Sequence, residues 1–224
     1  MGLLVRVWGL DPEGSRFEVV NGFVAGPGMA RLDLEVDLDG LRTTVASLAE
    51  EFGGDHTDAG FGVVPATLRP GRTPDSNDLS GRYWTRVEHR DGDWTEAAHE
   101  DLVDEQAFSQ INPILAGTAV EATLDALRQH FVLGRARLLS KAPYNCNSWH
   151  RDPEPRVHVP IVTNPGSLMI IDHHCTHLPA DGSAYFTDTR RYHTALNGGP
   201  GDRVHLVAAV VSASSREGQE LLAC

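Results

Sequence analysis

Apolar positions along the chain change their period more than once, and those changes outline its organisation. Near the start, "LLVRVW", "FEVVNGFV" and "RLDLEVD" mix β-branched residues with partial alternation and are broken by Gly and Pro, which predicts short strands. A helix follows, because Leu41, Val45, Leu48 and Phe52 recur at helical spacing and "FGG" supplies a stop. Residues 69–82, "RPGRTPDSNDLSGR", read as a long polar loop. It is either a surface excursion or a lid near a site, and the surface reading is favoured. A second helix is predicted from Thr118, which makes a capping box with Glu121 and leads an apolar face of Val120, Leu124, Leu127 and Phe131.

From Gly134 onward the period shortens to that of strands separated by turn residues: "RARLLSKA", "SWHRD", "RVHVPIVT", "SLMIID", "SAYFTD" and "RVHLVAAVV". Many short strands at close spacing, preceded by helices able to cover a sheet face, predict a mainly β fold. The expectation is a double-stranded β-helix, a cupin-like jelly-roll barrel with buttressing helices. Its single domain divides into amino-terminal strands and support helices (1–133), the jelly-roll core (134–212) and a carboxy-terminal tail (213–224).

Composition narrows the partners. The chain has 224 residues, 41% of them hydrophobic, enough for a sizeable packed core. Its net charge of -12 repels a phosphate backbone and an anionic lipid surface, so neither nucleic acid nor membrane is expected. A small molecule or a neutral-to-basic peptide fits better. Cys146, Cys175 and Cys224 are odd in number and irregular in spacing, which argues against a disulfide framework and for a reducing cytoplasm. The opening "MGLLVRVWGLDPEGS" lacks the basic and apolar regions of a signal peptide, and no stretch approaches the ~18 apolar residues of a membrane helix. A soluble cytoplasmic protein is expected, of open oligomeric state.

The densest chemistry lies in "MIIDHHCTHL", residues 169–178. Asp172-His173-His174-Cys175 is the letter pattern of membrane palmitoyltransferases, yet their membrane spans and cysteine-rich zinc domain are absent from this sequence. A structural zinc site wants four ligands, usually from two separated pairs, and adjacent histidines on a strand point to opposite faces. The cluster therefore reads as a strand end and turn, with one or two imidazoles lining a cavity whose chemistry lies elsewhere.

"WHRD" is the quieter candidate. On a strand His150 and Asp152 share a face, which makes two ligands of a two-histidine, one-carboxylate triad. The third ligand must come from a distant strand, and His193 in "RYHTALNGG" is the natural choice. Ten residues later Arg203, in "DRVHLVAAV", carries a guanidinium into the barrel, and its planar fork needs an anion. A dicarboxylate, 2-oxoglutarate, would supply it.

Residues from about 134 to 210 resemble the aspartyl/asparaginyl β-hydroxylase family of iron- and 2-oxoglutarate-dependent oxygenases, in particular its bacterial amino-acid and proline hydroxylase branch. The resemblance rests on "WHRD", "RVHVPIVTNP", "HLPADGSAYFTD", "YHTALN" and "DRVHLV" in that order. It implies that His150, Asp152 and His193 are the catalytic Fe(II) ligands and that Arg203 anchors the distal carboxylate of 2-oxoglutarate. It places Arg156 and His158 near the cosubstrate, His177 and Arg137 along the substrate pocket, and His205 in structural support of Arg203. Asp152 aligns the chain with the complete-triad branch, and a coordinating carboxylate blocks the chloride site of halogenating relatives. The implied reaction is O2-dependent hydroxylation of a C–H bond in an amino-acid side chain, free or within a peptide such as a ribosomal natural-product precursor. Two other readings compete: a non-catalytic jelly-roll module binding a metal or ligand, and a zinc hydrolase that would act without oxygen.

Overall fold

The computed structural model of the protein describes residues 22–52 and 61–223. The strand expected at 3–8 lies outside them, as does most of that at 17–24, whose described end at 22–24 is not strand. The amino-terminal half supplies β1 (Met29–Glu35), α1 (Leu38–Phe52), β2 (Phe61–Pro65), β3 (Thr67–Leu68), α2 (Ser76–Leu79), β4 (Tyr83–Glu88), β5 (Trp94–His99), β6 (Gln110–Ile111) and α3 (Ala119–Leu127). After them come β7 (Phe131–Lys141), β8 (Asn145–Cys146), β9 (His150–Arg151), β10 (Arg156–Val162) and β11 (Ser167–Ile171). The chain continues through β12 (His174–His177), β13 (Ser183–Thr187), β14 (His193–Asn197) and β15 (Arg203–Ala213) to α4 (Arg216–Ala223).

Two antiparallel sheets form the body. One runs β1-β13-β10-β15-β7-β2 and the other β12-β11-β14-β9-β4-β5, with β8 added beside β14. From β7 onward the chain crosses between sheets at almost every step, so that β7, β10, β13 and β15 lie in the first and β9, β11, β12 and β14 in the second. That winding is the jelly roll expected from the sequence. β1 and β2 extend the first sheet and the β4–β5 hairpin extends the second, so strands from before residue 134 complete both layers.

Strand alternation sorts the first sheet into two unlike faces. On one, Leu138, Val157, Val159, Ile161, Phe186 and Leu206 are buried in a core that also takes Leu41 and Leu48 of α1 and Val120, Leu124 and Leu127 of α3. Each such side chain removed from water contributes about 1.5–3 kcal/mol, which is why these helices stay on the sheet. The intervening positions face the second sheet and include Arg137, Lys141, Arg156, His158, Arg203 and His205, all buried.

Local signals explain most boundaries. Thr118 caps α3 by accepting from the Val120 amide, while Glu121 reaches back to the Gly117 amide at 2.7 Å, one residue further than a standard capping box. Phe131, expected on the α3 face, instead opens β7, because Gln129 and His130 close the helix with tight bonds to the Ala126 and Leu127 carbonyls. Residues 213–224, expected as a tail, carry α4. The β4–β5 hairpin was not expected, although Asp91-Gly92 between two strand-like runs signals it; Gly92 has φ 89°, which only glycine adopts without strain. Among the described residues, no helix is long and apolar enough to cross a membrane.

Candidate metal centre

β9 and β14 are neighbours in the second sheet, and the register sets His150 directly opposite His193. β9 is only two residues long, so Asp152 lies just beyond it, fixed by its amide donating to the Thr189 carbonyl at 2.8 Å. The intervening Arg151 points away, forming a bidentate pair with Glu96 at 2.6 and 2.6 Å and covering the Trp84 ring at 4.3 Å. Alternation thus puts an imidazole and a carboxylate on one side and an anchoring guanidinium on the other.

The donor atoms of His150, Asp152 and His193 lie within 4.8 Å of one another, and they are the set of this kind found among the described residues. His150 Nδ1 meets the Ser148 carbonyl at 2.6 Å and His193 Nδ1 meets the Arg191 carbonyl at 3.0 Å. A neutral imidazole that donates from Nδ1 keeps its lone pair on Nε2, the state a metal ligand needs. Those two Nε2 atoms are the ones that face Asp152, at 3.9 and 3.8 Å. Burial pulls His193 down to about 4, against the pull of Asp152, so it is neutral near pH 7. Burial opposes charge on Asp152, but Arg156 and the two histidines outweigh it and hold the carboxyl below its ordinary range. Two imidazole nitrogens and one carboxylate fit a divalent ion of the iron or zinc type.

The triad opens into a cavity of ≈ 710 Å³ between the sheets, and Arg137, His158 and Arg203 share its wall. Arg203 is buried, donates from Nη2 to His205 Nδ1 at 2.9 Å, and makes no ion pair among the described residues. Burial lowers it to about 10. His158 Nδ1 lies 3.4 Å from His205 Nδ1, and burial together with Arg203 holds both imidazoles neutral. Arg156 turns towards the triad, 3.2 Å from Asp152 and 3.2 Å from Glu154. It steadies the carboxylate, with its own donors committed to those acids.

Residues 69–82 are a surface loop only in part: 70–74 are exposed, but Ser76, Leu79 and Ser80 line the cavity, and Arg69 holds Asp78 of this segment at 2.7 Å. His177 lies elsewhere. Its Nδ1 meets the Ser167 carbonyl at 2.9 Å, and it borders a separate pocket of ≈ 370 Å³ with Arg42 and Pro179. The rest of the histidine cluster makes a hairpin turn between β11 and β12, with Asp172 and His173 at φ 48° and 66°. Positive φ at both central residues is the primed turn that matches strand twist. His173 stacks on Trp149 at 5.1 Å, and Asp172 pairs with Arg191 at 2.5 Å.

Sequence reasoning missed Lys141 and Tyr83. Lys141 lines the cavity and faces Arg203 across the β7–β15 pair. Tyr83 meets the His150 ring edge-on at 5.5 Å and stacks on His99 at 4.7 Å. A signal for the first existed: Arg135, Arg137 and Lys141 fall on one face of a strand otherwise apolar enough to be buried.

No family model and no curated protein matches the sequence. Among solved structures the fold is similar to a prolyl-4-hydroxylase from Pseudomonas putida, with a TM-score of 0.42 and 11% identity over 82% of this chain and 91% of that one. It is also similar to an oxidoreductase of the 2OG-Fe(II) oxygenase family from Burkholderia pseudomallei, at TM-score 0.36 and 15% identity over 80% of this chain and 94% of that one. A cupin domain from Bordetella pertussis gives TM-score 0.29 and 18% identity over 35% of this chain and 81% of that one. Likeness this distant identifies no activity.

Proposed function

We propose that the protein is a cytoplasmic Fe(II)- and 2-oxoglutarate-dependent dioxygenase that hydroxylates a C–H bond of an amino-acid side chain, in the manner of the aspartyl/asparaginyl β-hydroxylases. One observation carries this reading: a convergent His150, Asp152 and His193 share a cavity with Arg203, a buried guanidinium lacking a carboxylate partner among the described residues. A hydrolytic zinc centre does not of itself call for that guanidinium, whereas a cosubstrate with two acid groups uses both features. When bound at the triad, Fe(II) supplies oxidative C–H chemistry, drawing on dioxygen and 2-oxoglutarate and yielding succinate and carbon dioxide.

The chain's own residues have narrower tasks. His150 and His193 turn Nε2 towards the ion because carbonyl oxygens occupy their Nδ1 protons, and Arg156 keeps Asp152 ionised and oriented. Arg203 pairs with the distal carboxylate of the cosubstrate, and the neutral His205 fixes its rotamer by accepting from Nη2. Met169, Ala195 and Val207 add apolar wall to the cavity, against which the C–H portion of a substrate can lie.

The test is succinate formation. Protein purified without oxygen, then given Fe(II), 2-oxoglutarate and air, should release succinate slowly even without its substrate, and a chelator should stop it. Metal uptake without succinate at any oxygen level would support a binding module instead. Oxygen-independent turnover of esters or amides would support a hydrolase.

A further inference from the structure

The cavity holds more positive charge than the proposed cosubstrate can use. Arg137, Lys141, Arg156 and Arg203 line it, against Asp152 as its one lining carboxylate. Arg156 is answered by Asp152 and Glu154. Lys141 and Arg203 stand opposite each other on paired strands, so one carboxylate can serve both. That leaves Arg137.

Arg137 pairs in register with Val207, four positions from Arg203 along β15 and on the order of 13 Å away at ~3.3 Å per residue. The two guanidiniums therefore spring from separate points on one sheet face, and both line the cavity into which the triad opens. Arg137 is 7% exposed. Its Nη1 donates to the Leu79 carbonyl at 2.5 Å and the Ser80 carbonyl at 2.7 Å, while its buried Nε has no hydrogen-bond partner. Among the described residues it forms no ion pair. Neutral carbonyls orient a buried guanidinium but do not balance its charge, and burial, with Arg135 and Arg156 adding to it, drags Arg137 down to about 9. The surrounding wall is aliphatic: Val63, Leu79, Leu139 and Val207. A ligand matching this end has an anionic head and an apolar body.

Building on the oxygenase reading, we propose that the substrate presents a carboxylate to Arg137, a second acid seat separate from the one at Arg203, and that this contact selects the substrate and aims its apolar portion at the triad. The carboxylate is either the α-acid of a free amino acid or the side chain of an aspartate or glutamate residue. The shared chemistry is the planar acid that a guanidinium fork receives.

Ligand-observed saturation-transfer NMR on the full chain loaded with Zn(II) and 2-oxoglutarate tests this. The probes are the free proteinogenic amino acids and their carboxamides, among which aspartate and glutamate carboxamide keep only a side-chain acid. The expected result is that at least one acid binds and that removing its carboxylate weakens binding roughly tenfold or more. Preference for a free amino acid over every carboxamide assigns the α-acid, and retained binding of aspartate or glutamate carboxamide assigns the side chain. Arg137→Gln should abolish the preference while leaving 2-oxoglutarate affinity unchanged by calorimetry, and Arg137→Lys should keep part of it. Should Arg137→Gln fail to fold, Arg137→Lys and the acid–carboxamide comparison in the unaltered protein decide. No bound acid, equal binding of acid and carboxamide, or an unchanged preference in Arg137→Gln overturns the proposal. Failure of 2-oxoglutarate to bind overturns the oxygenase reading instead, and the acid–carboxamide comparison is still read without it.

Discussion

His193 stands directly across from His150, and this is the single residue pair in register between β9 and β14. Their ring centroids are 4.3 Å apart. One point of contact between two short segments therefore brings together ligands that lie far apart in sequence, and Asp152 completes the set from the turn that follows.

Loss of either imidazole or of the acid should empty the centre. Asp152→Ala and His193→Ala are expected to retain no Fe(II) after anaerobic dialysis and metal analysis. His173→Ala should retain it like the unaltered protein, because His173 belongs to the β11–β12 turn and stacks on Trp149 rather than facing the triad. An iron-free His173 variant would contradict the site as described.

The far end of the cavity should respond differently. Arg203→Gln is expected to raise the 2-oxoglutarate concentration for half-saturation roughly 10- to 100-fold, since a charge-assisted bond is worth about 1.5–3 kcal/mol. His205→Leu leaves the Arg203 rotamer without its 2.9 Å acceptor and should raise it only a few-fold. Both variants should keep their iron, so cosubstrate titration alongside metal analysis separates this role from damage to the triad.

The jelly-roll half was legible because its strands carry turn residues between short apolar runs, and each of "RVHVPIVT", "SLMIID" and "SAYFTD" falls on an observed strand. His150 and Asp152 were legible because alternation over two residues needs no knowledge of the fold, whereas His193 had to be chosen by its place ahead of Arg203 and by the family resemblance. Arg156 shows the limit: its position on the His158 face was foreseeable, but its ion pair with Asp152 depends on how the chain between 152 and 156 turns. The role of residues 69–82 was hidden for the same reason. Polarity marks a loop, and only the Arg137 bonds to Leu79 and Ser80 reveal that its later part meets the cavity. The hairpin of β4 and β5 was readable from Asp91-Gly92, and it brings Tyr83 to His150.

Behind the cavity, Glu105 and Arg135 form a buried ion pair, and Glu105 Oε2 also accepts from the Arg135 amide at 2.7 Å. Removing one member of such a pair leaves an uncompensated charge and costs ~3–5 kcal/mol. Arg135 is especially exposed to that loss, because burial already disfavours its charge and Arg156 adds repulsion. Glu105→Gln should therefore lower the urea midpoint strongly. Glu88→Gln, an exposed change on β4, should stay within about 0.5 kcal/mol of the unaltered protein.

Lys141 sets a pH dependence of its own. Burial, with Arg203 adding to it, lowers its folded value from 10.5 to about 7. Between those two values the unfolded chain holds a proton on this amine that the folded chain has released, so folding stability rises with pH across the window. The slope from this one group is at most ~1.4 kcal/mol per pH unit. The contribution is complete above about 10.5 and is lost as the pH falls through about 7, where the buried amine must charge beside Arg203. Lys141→Met removes the group, and the other titrations common to both proteins cancel in the comparison. Urea unfolding at intervals from pH 7 to pH 10 should show the unaltered protein gaining stability relative to Lys141→Met as the pH rises. A difference that stays flat would mean that Lys141 keeps its proton in the fold, paired more strongly than its hydrogen bond to Asn147 suggests.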